Sequence, residues 1–201
     1  LEAFSKYFSE EQGHLWERMA LCRARVVLGN EILQAQIVDV LRKAVFIKPW
    51  SPADADEMVQ MRERLEQASH SDNLKRGRGG LVDIEFIVQM LQLRYGASRP
   101  SLQQSNTMAA LMALREEDLL TDEDFQFFTR SYRFLWLLKS RLQLFDFVAR
   151  DDVPEGDGLV KLAAAMHYAG PTDLLKDFES YRRKNRQLFE RFFEQSAVAP
   201  S

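Results

Sequence analysis

Apolar residues recur along most of this chain at intervals of three and four, the spacing that gathers side chains onto one face of an α-helix. Leu15, Met19, Cys22 and Val26 keep that interval, with Trp16, Ala20 and Val27 beside them. They predict helix within Phe4–Leu28, stopped by Gly29 and Asn30. Ile32, Leu33, Ile37, Val40, Leu41 and Val45 carry a second helix over 31–46, which Pro49 and Pro52 break. Ser51-Pro52 reads as an N-cap with proline at the first helical position, opening a charged helix to about Ala68. Further helices are predicted near 81–95, 107–114, 121–150, 159–167 and 173–195. Phe125, Phe128, Tyr132, Leu135, Leu138, Leu142 and Phe145 mark the buried side of the longest. No segment alternates with the period of a strand, and no repeat of fixed length is visible. The predicted fold is all-α, an antiparallel bundle of about seven to eight helices. It reads as one compact domain: 1–70 the N-terminal helices, 71–195 the main bundle, and 196–201 a frayed tail.

Composition narrows the function classes. The 201 residues are 46% hydrophobic and 28% charged, ordinary for a soluble globular chain. Lys plus Arg number 27 against 30 Asp plus Glu, a net charge of −3 that argues against a nucleic-acid partner. A single cysteine, Cys22, excludes an internal disulfide, and its place on the apolar stripe marks it as an inert core thiol. His14, His70 and His167 fall in no metal-ligand spacing, so no metal site is expected. No apolar run approaches the ~18 residues of a membrane span. With no signal peptide visible, a cytoplasmic location is expected. The opening Leu1 in place of Met leads us to expect a piece of a longer protein.

Candidate chemistry gathers at Lys75-Arg76-Gly77-Arg78-Gly79-Gly80, just before the helix at Leu81. Glycines allow successive N–H groups to turn toward one point, and a helix N-terminus adds free donors and partial positive charge. With Lys75 and Arg78, this run is either an anion site or a solvated loop with a glycine entry. Asp83 and Glu85 resemble a paired-carboxylate D-x-D, but residues two apart on a helix diverge by roughly 200° and cannot share a metal. Glu85, Gln89 and Gln92 do share a face, and this polar stripe either lines a cleft or forms an interhelical network. Arg23 and Arg25 are either a phosphate clamp or structural ion-pair partners. No complete catalytic constellation is present.

Two motifs carry a family resemblance. Trp16-Glu17, Ala20, Arg23-Ala24-Arg25 and Gly29 resemble a WE…A…RAR…G pattern, and Asn73 to Gln89 resembles a longer one. Both are similar to glutamine synthetase adenylyltransferase, the bifunctional enzyme that attaches and removes AMP on glutamine synthetase; related helical segments occur in the PII uridylyltransferase. The resemblance implies two tandem copies of a nucleotidyltransferase domain followed by a helical bundle, of which this chain would be one bundle. The catalytic G-S-x-x-D-x-D is absent, so no catalytic residue is expected here, and ATP and magnesium are implied only for the full-length enzyme. The implied partners are glutamine synthetase, PII and the preceding domain in cis. Lys75, Arg78, Gly79, Gly80, Arg23 and Arg25 would be the nucleotide or phosphate contacts. Val82-Asp83 suits the AMP-attaching half, as does the chain's end at Ser201. The alternatives are the bundle of the removing half and a non-catalytic module that binds PII or glutamine synthetase.

Overall fold

The computed structural model describes residues 1–9, 13–46, 48–146 and 151–196. They form nine α-helices, with no strand among the described residues: α1 Glu2–Ser9, α2 Leu15–Leu21, α3 Glu31–Phe46, α4 Pro52–Gln67, α5 Leu81–Tyr95, α6 Thr107–Glu116, α7 Asp122–Asp146, α8 Gly156–Ala165 and α9 Pro171–Ser196. The all-α expectation is borne out. The chain divides into two units. One holds Leu1–Met58, Val88–Phe125 and Ser196; the other holds Val59–Ile87 and Gln126–Gln195.

The single helix expected within Phe4–Leu28 is corrected to two short ones, α1 and α2. Gly13 lies between them, and a Cβ there would sit 2.4 Å from the Phe8 ring. The chain passes that ring closely only because glycine has no side chain. After Leu21 the helix gives way to turns in which Arg23 N–H donates to Ala20 O and Ala24 N–H to Leu21 O. The β-branched pair Val26-Val27 and Gly29 that follow are poor helix formers. Arg23 and Arg25 therefore lie beyond the helix, and both are exposed.

In the first unit, Phe8, Leu15, Met19, Val45, Met58, Met90, Leu93, Leu111 and Leu114 are buried. The helix ends are satisfied locally. Asn30 Oδ1 accepts from Leu33 N–H, Asn106 Oδ1 from Met108 and Ala109 N–H, and Asp54 Oδ2 from Ser51 N–H. The buried Arg18 closes the other end of α3, donating from Nε to Val45 O at 2.9 Å and from Nη2 to Lys48 O at 2.7 Å. The first is a carbonyl that a helix C-terminus leaves without a partner, and the second belongs to the segment that follows it.

Cys22 is half-buried, and burial of its sulfur pushes the thiol up to about 12, with Arg18 pulling the other way. The raised value favours the folded state while the thiol stays protonated. That contribution is lost as pH climbs from the unfolded thiol's range, ~8.5, toward 12. At pH 8.5, iodoacetamide should alkylate Cys22 at least about tenfold more slowly than in the unfolded chain, as peptide mass spectrometry will show.

The second unit is held by aromatic packing. Phe134 stacks on Tyr181 at 4.8 Å, Phe127 lies 6.0 Å from the same ring, and Phe128 lies 6.1 Å from Phe192. These pairs join α7 to α9. Phe128, Tyr132, Leu135, Leu138 and Leu142 are buried, in agreement with the stripe read from the sequence. The side chain of Phe145 and residues 147–150 lie outside the described residues, as do 197–201. Ser196, placed in the tail by its sequence, closes α9 and is buried, with its hydroxyl 3.1 Å from Met90 Sδ.

Candidate functional site

Residues 71–80 of the second unit form a turn that folds back on itself. Asn73 opens it: its Oδ1 accepts from Lys75 N–H at 3.1 Å and Arg76 N–H at 2.7 Å, and its Nδ2 donates to Asp152 Oδ1 at 2.7 Å. Leu74 N–H donates to Asp151 O at 2.6 Å, tying the turn to the segment before α8. Gly77 N–H reaches Asn73 O, Gly80 N–H reaches Gly77 O, Leu81 N–H reaches Leu74 O and Val82 N–H reaches Lys75 O. Gly79 N–H donates to Asp83 Oδ2 at 3.0 Å. The donors at the start of α5 are thus taken by the chain's own carbonyls and by Asp83, and the backbone here does not form an open anion nest.

Three glycines make this closure possible. At Gly79, φ is +74°, and a Cβ would lie 2.0 Å from Arg182 O. A Cβ at Gly77 would lie 2.5 Å from Asn73 O, and one at Gly80 2.7 Å from Leu74 O. Each position lets backbone approach backbone more closely than any side chain permits.

α4 and α9 clamp the turn from outside. Arg62 of α4 is fully buried; its Nε donates to Asp83 Oδ1, its Nη2 donates to Gly77 O at 2.8 Å, and its Nη1 lies 3.5 Å from Glu66. From α9, Arg182 donates to Arg78 O at 2.8 Å and to Ser71 O. Asn185 donates to Gly79 O at 2.8 Å and accepts from Ser131 Oγ at 2.9 Å. Arg186 pairs with Glu66 at 3.2 Å, with Glu190 at 3.0 Å and with Asp83 at 3.7 Å. Burial pushes the Asp83 carboxyl up, while Arg62, Arg186 and the Gly79 N–H hold it down.

Of the residues singled out by sequence, Lys75, Arg78, Gly79 and Gly80 fall in this second unit and Arg23 and Arg25 in the first. Gly79 and Gly80 are buried, Lys75 is half-buried and Arg78 is exposed, paired with Glu190 at 2.8 Å and Glu66 at 3.9 Å. The Lys75 ammonium and the exposed Arg76 guanidinium make no ion pair with a described residue. Glu85, Gln89 and Gln92 are all buried. Tyr132 Oη donates to Glu85 at 3.4 Å, and Gln92 Nε2 donates to Leu102 O at 2.7 Å and Gln104 O at 2.8 Å. Gln92 and Arg25 also line a cleft of ≈ 340 Å³ in the first unit, together with Cys22 and Val38.

Asp83 and Glu85 do not offer a divalent-cation site, since both Asp83 oxygens face Arg62, Arg186 and Gly79 and Glu85 takes the Tyr132 hydroxyl. No group of three or more potential metal ligands occurs among the described residues. Arg18, Arg62, Arg182, Asn185 and Arg186 were missed by sequence reasoning. For the last three a signal existed: hydrogen-bonding side chains at i, i+3 and i+4 on a helix whose neighbours Phe178, Leu188 and Phe189 are core.

This chain, with its clamped glycine turn ahead of a buried helix, belongs to the GlnD PII-uridylyltransferase family on the strength of a family model that matches residues 53–193. Curated relatives extend the likeness toward the N-terminus. A bifunctional glutamine synthetase adenylyltransferase/adenylyl-removing enzyme of Nitrosomonas europaea is 28% identical over 195 residues, covering 94% of this chain and 21% of the relative. Its counterparts in Mycobacterium avium and Mycobacterium tuberculosis are each 38% identical, over 146 and 152 residues, covering 71% and 72% of this chain and 15% of theirs. The resemblance read from the two motifs is borne out by these relatives. The chain spans about a fifth or less of the length of each.

Proposed function

We propose that this chain is the helical domain following the nucleotidyltransferase domain in the AMP-attaching half of a glutamine synthetase adenylyltransferase. The full-length cytoplasmic enzyme transfers AMP from ATP, with magnesium, to a tyrosine of glutamine synthetase, with PII as a further partner. The carboxylates that hold magnesium belong to the preceding domain, because Asp83 and Glu85 are already engaged. This bundle closes one wall of the cleft and offers a docking surface to the protein substrate.

The observation that carries the reading is the glycine turn. Its amides at Gly79, Gly80, Leu81 and Val82, ahead of α5, are taken by the chain itself, so what it presents to a phosphate is charge on a fixed support: the ammonium of Lys75, free of ion pairs with described residues. Phosphoryl transfer is served mainly by positioned charge, and a cation held by a stiff turn meets that need without reorganising. The adenylyltransferase activity named for the relatives supports the reaction class.

In the full-length enzyme, Lys75→Ala should lower kcat/KM for ATP about tenfold or more, equivalent to ~1.4 kcal/mol, with circular dichroism unchanged. An intact fold with unchanged kcat/KM rejects the phosphate role. The same proposal requires that residues 1–201 alone incorporate no labelled AMP into glutamine synthetase.

A further inference from the structure

The N-terminal half of α3 stands almost bare. Of its sixteen residues only Ala44 and Val45, near the C-terminal end, are buried. Ile32 is 73% exposed, Val38 56% and Leu33 40%, and among residues 31–39 only Ile37 is as much as half-buried. The segment leading into the helix continues the same surface: Val27 is 84% exposed and Leu28 90%. It is fastened to the first turns of α3, where Gln34 Nε2 donates to Gly29 O at 2.6 Å and Leu33 N–H to Asn30 Oδ1 at 2.8 Å.

A helix with apolar residues around most of its circumference belongs in an interior, and short helices draw their stability from packing rather than propensity. A contiguous apolar surface of this kind marks an interface. Two facts bear on what covers it. The family model begins at residue 53, leaving α1, α2 and α3 outside the domain it describes. The Nitrosomonas europaea relative matches 94% of the chain, more than the family model does, and is about five times longer, so most of its polypeptide lies elsewhere.

We infer that the exposed half of α3, with Val27 and Leu28, is the docking surface for another domain of the same polypeptide, one that presents an apolar face. This rests on the reading of the chain as one domain of a longer enzyme. It does not depend on Lys75 or on the reaction.

The test uses the full-length protein, with Ile32→Cys and Val38→Cys made singly and maleimide labelling followed by peptide mass spectrometry. Each introduced thiol should label at least about tenfold more slowly than in the urea-unfolded chain, independently of protein concentration. In the wild-type protein, an amine cross-linker should join Lys43, an exposed residue of the same helix, to lysines outside residues 1–201. Labelling at the unfolded-chain rate overturns the inference, and so does protection that vanishes on dilution, which would assign the face to a second copy. AMP transfer measured on the same preparations keeps the two proposals apart. Transfer with α3 freely labelled rejects the docking surface alone; protected α3 without transfer rejects the function alone.

Discussion

Asp83→Ala should lower the unfolding free energy by about 3 kcal/mol, because it takes from the fully buried guanidinium of Arg62 its hydrogen-bonded counter-charge and leaves only Glu66, 3.5 Å from Nη1. The same substitution removes the acceptor of Gly79 N–H and the more distant partner of Arg186. Asp83→Asn should cost less, since an amide oxygen can still accept from Gly79. Replacing both members of the pair with apolar residues, Arg62→Met with Asp83→Leu, should recover much of the loss, because a buried ion pair is expensive to desolvate. Urea denaturation followed by circular dichroism ranks the four proteins. Equal midpoints for Asp83→Ala and the parent would mean that water reaches Arg62.

Gly79→Ala should be the most damaging single methyl in the chain, at about 2–4 kcal/mol. The new Cβ would fall 2.0 Å from Arg182 O, at a backbone angle that side chains rarely adopt. Gly156 and Gly170 serve as controls, since nothing lies within 4 Å of a Cβ at either. Gly156→Ala should cost only the strain of its positive φ, ~1 kcal/mol, and Gly170→Ala close to nothing. Thermal melts of the three variants give the order directly. If Gly79→Ala melts with the controls, the turn is not packed against α9 as described.

What could be read ahead of the structure was whatever a helix writes into its own neighbourhood. The bounds of α3 and α5 follow from apolar spacing and from Pro49, Gly80 and Gly96. The split between α1 and α2 was not legible, because apolar residues at helical intervals continue across a break that depends on Gly13 meeting the Phe8 ring. The glycine run was recognisable as the place where chemistry collects, but its state was not. The same residues make an open nest or a closed turn, and the outcome depends on where the carbonyls of Leu74 and Lys75 point. Arg62 and Asp83 are 21 residues apart, beyond the reach of any local pattern. Arg18 escaped notice beside the more conspicuous Arg23 and Arg25, although it is the one that enters the interior.

The clamp on the glycine turn spans most of the chain. Ser71, Arg78 and Gly79 receive their bonds from Arg182 and Asn185, across separations of 111, 104 and 106 residues. Closing loops of that length is slow, and contacts of such separation form late in folding. During synthesis, then, the turn leaves the ribosome long before the residues that hold it exist. Until α9 is complete, the carbonyls of Ser71, Arg78 and Gly79 lack these donors and Asp83 lacks Arg186. A chain ending before Asp173 would keep its motif intact in writing and lose its shape. Helix α9 therefore acts as a folding checkpoint: a product truncated before it, however faithfully it carries the Asn73 to Gln89 signature, would expose an unset turn to proteases and chaperones.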